Sequence, residues 1–132
     1  LNAKQKHRNI NDYLEHIKEA TNLALSYVEG MDKQTFLVDR RTQQAVIYNI
    51  MIIGEAASQI INEHPDFIES TPEIPWREMR GIRNRMAHGY FELNMDIIWE
   101  TVTMYLDDLG QKFTNINGTA DPDDDLQHPE FP

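Results

Sequence analysis

Cysteine is absent from all 132 residues. No disulfide can staple the fold, and no thiolate can hold zinc or an iron–sulfur cluster. A reducing compartment suits such a chain, and a cytoplasmic location is expected. Long apolar stretches are missing too. The run Ile50–Ile53 is far too short to cross a bilayer, and no membrane association is expected. The basic segment Leu1–Arg8 is followed by no apolar core of a leader, so no signal peptide is expected. Positive charge is scarce: 12 Lys and Arg stand against 22 Asp and Glu, a formal net charge of −10. That argues against a general nucleic-acid binder, whose affinity comes from neutralising phosphates. Period-two alternation and internal repeats are also lacking, which excludes a sheet-rich or solenoid architecture.

What the chain does have is helical periodicity. A first helix is expected from about residue 9 to 29, with Ile10, Tyr13, Leu14, Ile17, Ala20, Leu23, Ala24, Tyr27 and Val28 on one stripe and Gly30 as its stop. A second runs from about Thr35 to Glu63, apolar nearly all round at its centre, with Gly54, Ala56 and Ala57 small enough to admit another helix. His64–Pro65 ends it, and Pro65–Pro75 reads as a loop holding at most one short turn. A third helix spans about Pro75 to His88, stopped by Gly89. A fourth, capped by Asn94, spans Met95 to about Phe113 and buries Ile97, Ile98, Val102, Tyr105, Leu106 and Leu109. The expected fold is all-α, an up-and-down bundle of four main helices. Residues 1–117 form the bundle, and 118–132 form a flexible acidic tail with five acids (Asp121, Asp123, Asp124, Asp125, Glu130) and no Lys or Arg.

The segment Arg77–His88 breaks the acidic trend, with four arginines and one acid, Glu78. At ~100° per residue, Arg77, Arg80, Asn84 and His88 share one helix face. Trp76, Met79, Ile82 and Met86 form the opposite, core-facing stripe. Arg83 lies at the edge of that stripe, roughly 140° from His88, and cannot stack over it within one helix. Arginine grips a phosphate through two parallel hydrogen bonds and offsets charge growing in a transition state. An imidazole can give or take a proton. Together they suit scission of an RNA phosphodiester by its own 2′-hydroxyl. From composition alone, an arginine-rich solvated face with a histidine capping the last carbonyls is the favoured reading.

The segment Arg83–Asn84–Arg85–Met86–Ala87–His88–Gly89–Tyr90 resembles the signature of HEPN domains, an arginine followed after a short interval by histidine. Tyrosine two residues past the histidine resembles the HepT branch. So do Pro72–Met79, Tyr90–Phe91, Asp39–Arg40 with Gln43, and Ile53–Ala57; the likeness covers about residues 8–112. The resemblance implies a HEPN-like bundle that dimerises, and a metal-independent endoribonuclease with no cofactor, the toxin of a bacterial toxin–antitoxin pair. It implies Arg83 and His88 as catalytic groups from both chains of a homodimer; Asn84, Arg77, Arg80 and Arg85 are the expected supporting RNA contacts. It further implies a partner of the MntA type, a minimal nucleotidyltransferase antitoxin that places AMP on Tyr90.

Other residues leave alternatives open. Asp39 and Arg40 either shape the cleft, pairing with Arg83, or form an ordinary ion pair. Glu55 reads as a buried carboxylate needing Arg83 or Arg85. His7, His16, His64 and His128 show no ligand spacing, so no metal site is expected. The acidic tail is a solvated extension or a phosphate mimic over the basic cleft. The rival readings are a non-catalytic HEPN module that binds nucleotide or RNA or docks a nucleotidyltransferase, and a purely structural dimeric bundle.

Overall fold

The computed structural model describes residues 9–89 and 92–118. Helix α1, Ile10–Tyr27, starts where the Asn9 side chain accepts the Asn11 N–H at 2.8 Å. Past Val28 the chain turns through Gly30, whose φ of +75° is the left-handed conformation that glycine adopts without strain. Helix α2, Lys33–Val38, is capped by Asp32, which accepts the Thr35 N–H at 2.9 Å. Helix α3 then runs Arg40–Glu63. The expected single helix from Thr35 to Glu63 is thus two, broken at Asp39. Its carboxylate accepts the Thr42 N–H at 3.0 Å and the Thr42 hydroxyl at 2.7 Å, and Gln43 donates its amide to the Phe36 carbonyl at 2.9 Å. These bonds satisfy the groups that the interrupted ladder leaves open. The Thr42 hydroxyl first, then its backbone N–H, hold the Asp39 carboxyl below the usual carboxylate range.

The stretch after His64 is more ordered than expected: α4, Pro65–Ser70, begins with proline at its first position. Helix α5, Trp76–His88, matches the expected third helix, and Gly89 closes it by donating its N–H to Arg85. The expected fourth helix is subdivided. Helix α6, Met95–Glu100, capped by Asn94, passes into one π-helical turn, Thr101–Tyr105, and then α7, Leu106–Gly118. Thr101 and Thr103 turn their hydroxyls back onto the carbonyls of Ile97 and Trp99, at 2.8 and 2.7 Å, competing with the backbone ladder. Beyond them the Leu106 N–H reaches the Thr101 carbonyl five residues back, the bond of a π turn. This rephases the buried stripe to Ile98, Val102, Leu106, Leu109 and Phe113. Ile97 and Tyr105, expected in the core, are instead 55% and 64% exposed.

Helix α3 is the axis of the bundle, with α1 along one side and α5 along another, while α7 lies on α1 and α2 bridges α3 and α6. Among the described residues there is helix and connecting turn but no strand, so the all-α expectation holds. By length and composition, α3 is the one helix among the described residues that would pass for a membrane span. Its apolar residues, however, are the core of the bundle: Val46, Ile50, Ile53, Ala57 and Ile60 are buried against the neighbouring helices. Phe36 from α2 and Ile17 from α1 are fully enclosed beside them, each contributing on the order of 1.5–3 kcal/mol by leaving water. Trp76 anchors the start of α5. Its ring meets Phe67 and Phe113 edge-on at 6.0 and 5.8 Å, and its indole N–H donates to Thr71 Oγ1 at 3.0 Å. The far end of α5, toward His88, is exposed.

Candidate functional site: the α3–α5 seam and the arginine face

Gly54 is where α3 and α5 come closest. A Cβ built there would sit 2.2 Å from Arg83 Cβ and 2.9 Å from the Met79 carbonyl oxygen. Hydrogen in place of a methyl lets the root of Arg83 lie directly on α3. The next α3 residue, Glu55, takes the guanidinium. Its Oε1 accepts Arg83 Nε–H at 3.0 Å and Nη2–H at 2.7 Å, while Oε2 accepts the Gln59 amide at 3.1 Å. Arg83 Nη1 donates to Asn84 Oδ1 at 2.7 Å. Gln59, Glu55, Arg83 and Asn84 thus form one hydrogen-bonded chain from α3 to α5. Among the described residues, two of the five guanidinium N–H bonds find no partner, one on each terminal nitrogen.

Glu55 was expected to be buried, but its side chain is 49% exposed, and that of Arg83 is 34% exposed. A pair so wetted contributes only about 0.2–1 kcal/mol to stability. Arg83 otherwise carries roughly 2 kcal/mol of rotamer entropy, so the pair matters more for ordering than for folding. The Glu55 carboxyl is held below its usual range, chiefly by the Gln59 amide and then by Arg83, with partial burial working the other way. Of the two expected partners, Arg83 is chosen and Arg85 is not. Asp39 does not pair with Arg83; it is the cap of α3. Gln59 escaped the sequence reading, although its spacing of four from Glu55 on a helix was the available signal.

The remaining site residues fall as the periodicity requires. Met79 and Met86 are buried and Ile82 is half-buried, while Arg77, Asn84, Arg85 and His88 are exposed and Arg80 is half-buried. Among the described residues, no ion pair engages Arg77, Arg80 or Arg85, and none engages His88. Among the described residues, one face of α5 is therefore cationic and not neutralised by ion pairs, on an acidic protein. Arg83 turns toward α3 and His88 into solvent, so a single protomer does not unite them. Tyr48, two turns before Glu55 on the same side of α3, is 66% exposed, with Met51 and Ile52 half-buried between them. Among the described residues, no three His, Asp or Glu side chains gather as a metal site. Tyr90 and the acidic tail beyond Gly118 lie outside the described residues.

An all-helical bundle carrying an arginine–histidine motif at the exposed end of one helix defines the class. The chain belongs to the HepT-like ribonuclease family, whose profile matches residues 10–116. A probable ribonuclease HepT of Thermococcus cleftensis is 40% identical over 109 residues, covering 83% of this chain and 96% of that one. A proposed RNase of Methanocaldococcus jannaschii is 37% identical over 69% of each chain. Another, of Caldanaerobacter subterraneus subsp. tengcongensis, is 33% identical over 79% of this chain and 90% of its own. No solved structure matches the chain.

Proposed function

We propose that this protein is an endoribonuclease acting as a homodimer, with Arg83 and His88 of both chains lining one cleft. The observation that carries this is Arg83 itself: ordered on α3, with two N–H bonds uncommitted, beside an uncompensated cationic face in a HepT-like chain. The apolar strip of exposed Tyr48 and half-buried Met51 and Ile52 next to Glu55 supports a second copy packing there.

In this reading one imidazole accepts the proton of an RNA 2′-hydroxyl as its oxygen bonds to phosphorus. The bond from phosphorus to the 5′-oxygen breaks, and the second imidazole, protonated, supplies that oxygen's proton. The products are a 2′,3′-cyclic phosphate and a 5′-hydroxyl. Arg83 offsets the charge on the non-bridging oxygens. Arg77, Arg80, Arg85 and Asn84 hold flanking phosphates. The nucleophile belongs to the substrate, so the reaction as written needs no cofactor.

The chain would be the toxin of a toxin–antitoxin pair. Its antitoxin, a minimal nucleotidyltransferase, would transfer AMP from ATP to the Tyr90 hydroxyl with release of pyrophosphate, placing bulk and negative charge two residues from His88. Purified protein should cleave RNA in EDTA. Arg83→Ala or His88→Ala should each reduce the rate by at least about a hundredfold, the scale for losing one general acid–base or electrostatic group. Retained cleavage in either variant would refute the assignment. A dimer mixing wild-type and His88→Ala chains should lose activity if the two histidines divide the work. Tyr90→Phe should stay toxic in cells that contain the partner.

A further inference from the structure

We propose that Glu55 is a positioning residue for Arg83: from α3 it grips one edge of the guanidinium and leaves the two terminal nitrogens each with an N–H for a phosphate of bound RNA. This rests on the ribonuclease reading above, which assigns nothing to Glu55. The geometry is specific. A single carboxylate oxygen takes both Nε–H, at 3.0 Å, and Nη2–H, at 2.7 Å, and this fixes the plane of the guanidinium.

The other carboxylate oxygen is held by Gln59, so Glu55 is itself oriented rather than free to swing. Asn84 Oδ1 accepts one Nη1–H at 2.7 Å. The arginine is clamped from two directions while keeping one N–H on each terminal nitrogen. Those two nitrogens are the pair that binds a phosphate bidentately. Gly54, one residue before Glu55, brings the Arg83 backbone close enough for the contact, since any side chain there would collide with Arg83 Cβ.

Two other roles for Glu55 make different predictions. As a stabilising ion pair it has little effect, because its side chain is 49% exposed and that of Arg83 34%. As a mere negative neighbour it repels RNA, so its removal would tighten binding and leave turnover intact. A positioning role predicts a split: turnover falls although the lost charge lowers KM or leaves it unchanged.

The test uses the full-length protein and an RNA oligonucleotide in EDTA. Glu55→Ala should lower kcat about ten- to a hundredfold, the cost of a misplaced reacting group, with KM unchanged or lower and Tm at the wild-type value. Glu55→Gln keeps an acceptor oxygen and should recover most of that loss. In an Arg83→Ala background, Glu55→Ala should add nothing further. An undiminished kcat in Glu55→Ala, or a loss additive to that of Arg83→Ala, overturns the proposal. Nitrogen-15 NMR gives a readout independent of cleavage. The Arg83 Nε–H signal should be protected from exchange in the wild type and lose protection in Glu55→Ala; equal protection in both also overturns the proposal. Glu55-dependent protection in a protein that cleaves no RNA would uphold the positioning role and refute the ribonuclease reading instead.

Discussion

Gly54 and Thr71 are the residues at which the smallest chemical change has the largest consequence. Gly54→Ala adds one methyl where Arg83 Cβ would be 2.2 Å away, and neither backbone can yield alone. The helices must separate, so a loss of about 1–3 kcal/mol is expected, as for other overpacked contacts. Thermal melts should show it, and activity should fall further than stability because Arg83 moves with α5. Thr71→Val keeps the shape but strips the buried Trp76 indole of its acceptor, and it removes the hydroxyl that donates to Phe67 O at 2.8 Å. The expected cost is about 1–3 kcal/mol, measured by denaturant unfolding. Sequence reasoning reached part of this. Gly54 was legible as a close-approach residue because it stands among alanines on an apolar helix. The partner of Glu55 narrowed only to two arginines, because helical spacing fixes where Arg83 leaves its helix but not where its flexible stem goes.

Elements are delimited here by polar caps that override apolar periodicity. A stripe that continues from Phe36 through Val46 reads as one helix, yet at Asp39 the backbone N–H closes α2 on the Phe36 carbonyl and the carboxylate opens α3. Asp39→Ala should lower Tm, while Asp39→Asn, still able to accept from the Thr42 N–H, should lower it much less. The sign with pH follows from the depressed carboxyl: its stabilising contribution is present above the unfolded-state pKa and is lost as pH falls through the lower folded value. The Tm difference between wild type and Asp39→Asn should therefore shrink in acid; a constant difference would show that the charge has no part in the cap. The four main helices, the extent of α5 and its two faces were all readable from spacing. The π turn was not. A period of 3.6 residues assumes an unbroken ladder, and the turn at Thr101–Tyr105 inserts one residue, which carries Tyr105 out of the core. Two threonines, Thr101 and Thr103, were its only trace.

Charge over the whole molecule decides how RNA could be held at all. A net charge of −10 repels a polyanion at long range, so attraction would have to be local, at the α5 arginines Arg77, Arg80, Arg83 and Arg85. If these arginines meet three or four phosphates, log affinity should fall with log salt at a slope of about −2 to −3, near −0.7 per phosphate on a single strand. Replacing Arg77 and Arg80 together by alanine should weaken binding alike for every sequence and flatten the slope by about 1.4, two phosphates' worth. Arg83→Ala should change turnover far more than it changes that slope, because its guanidinium is already partly neutralised by Glu55. Binding measured by fluorescence anisotropy from low to moderate salt, with an uncleavable 2′-O-methyl oligonucleotide, separates the two sets of arginines. A slope unaffected by the Arg77/Arg80 double substitution would place the substrate on another surface, and the cationic face of α5 would then be no guide to where RNA lies.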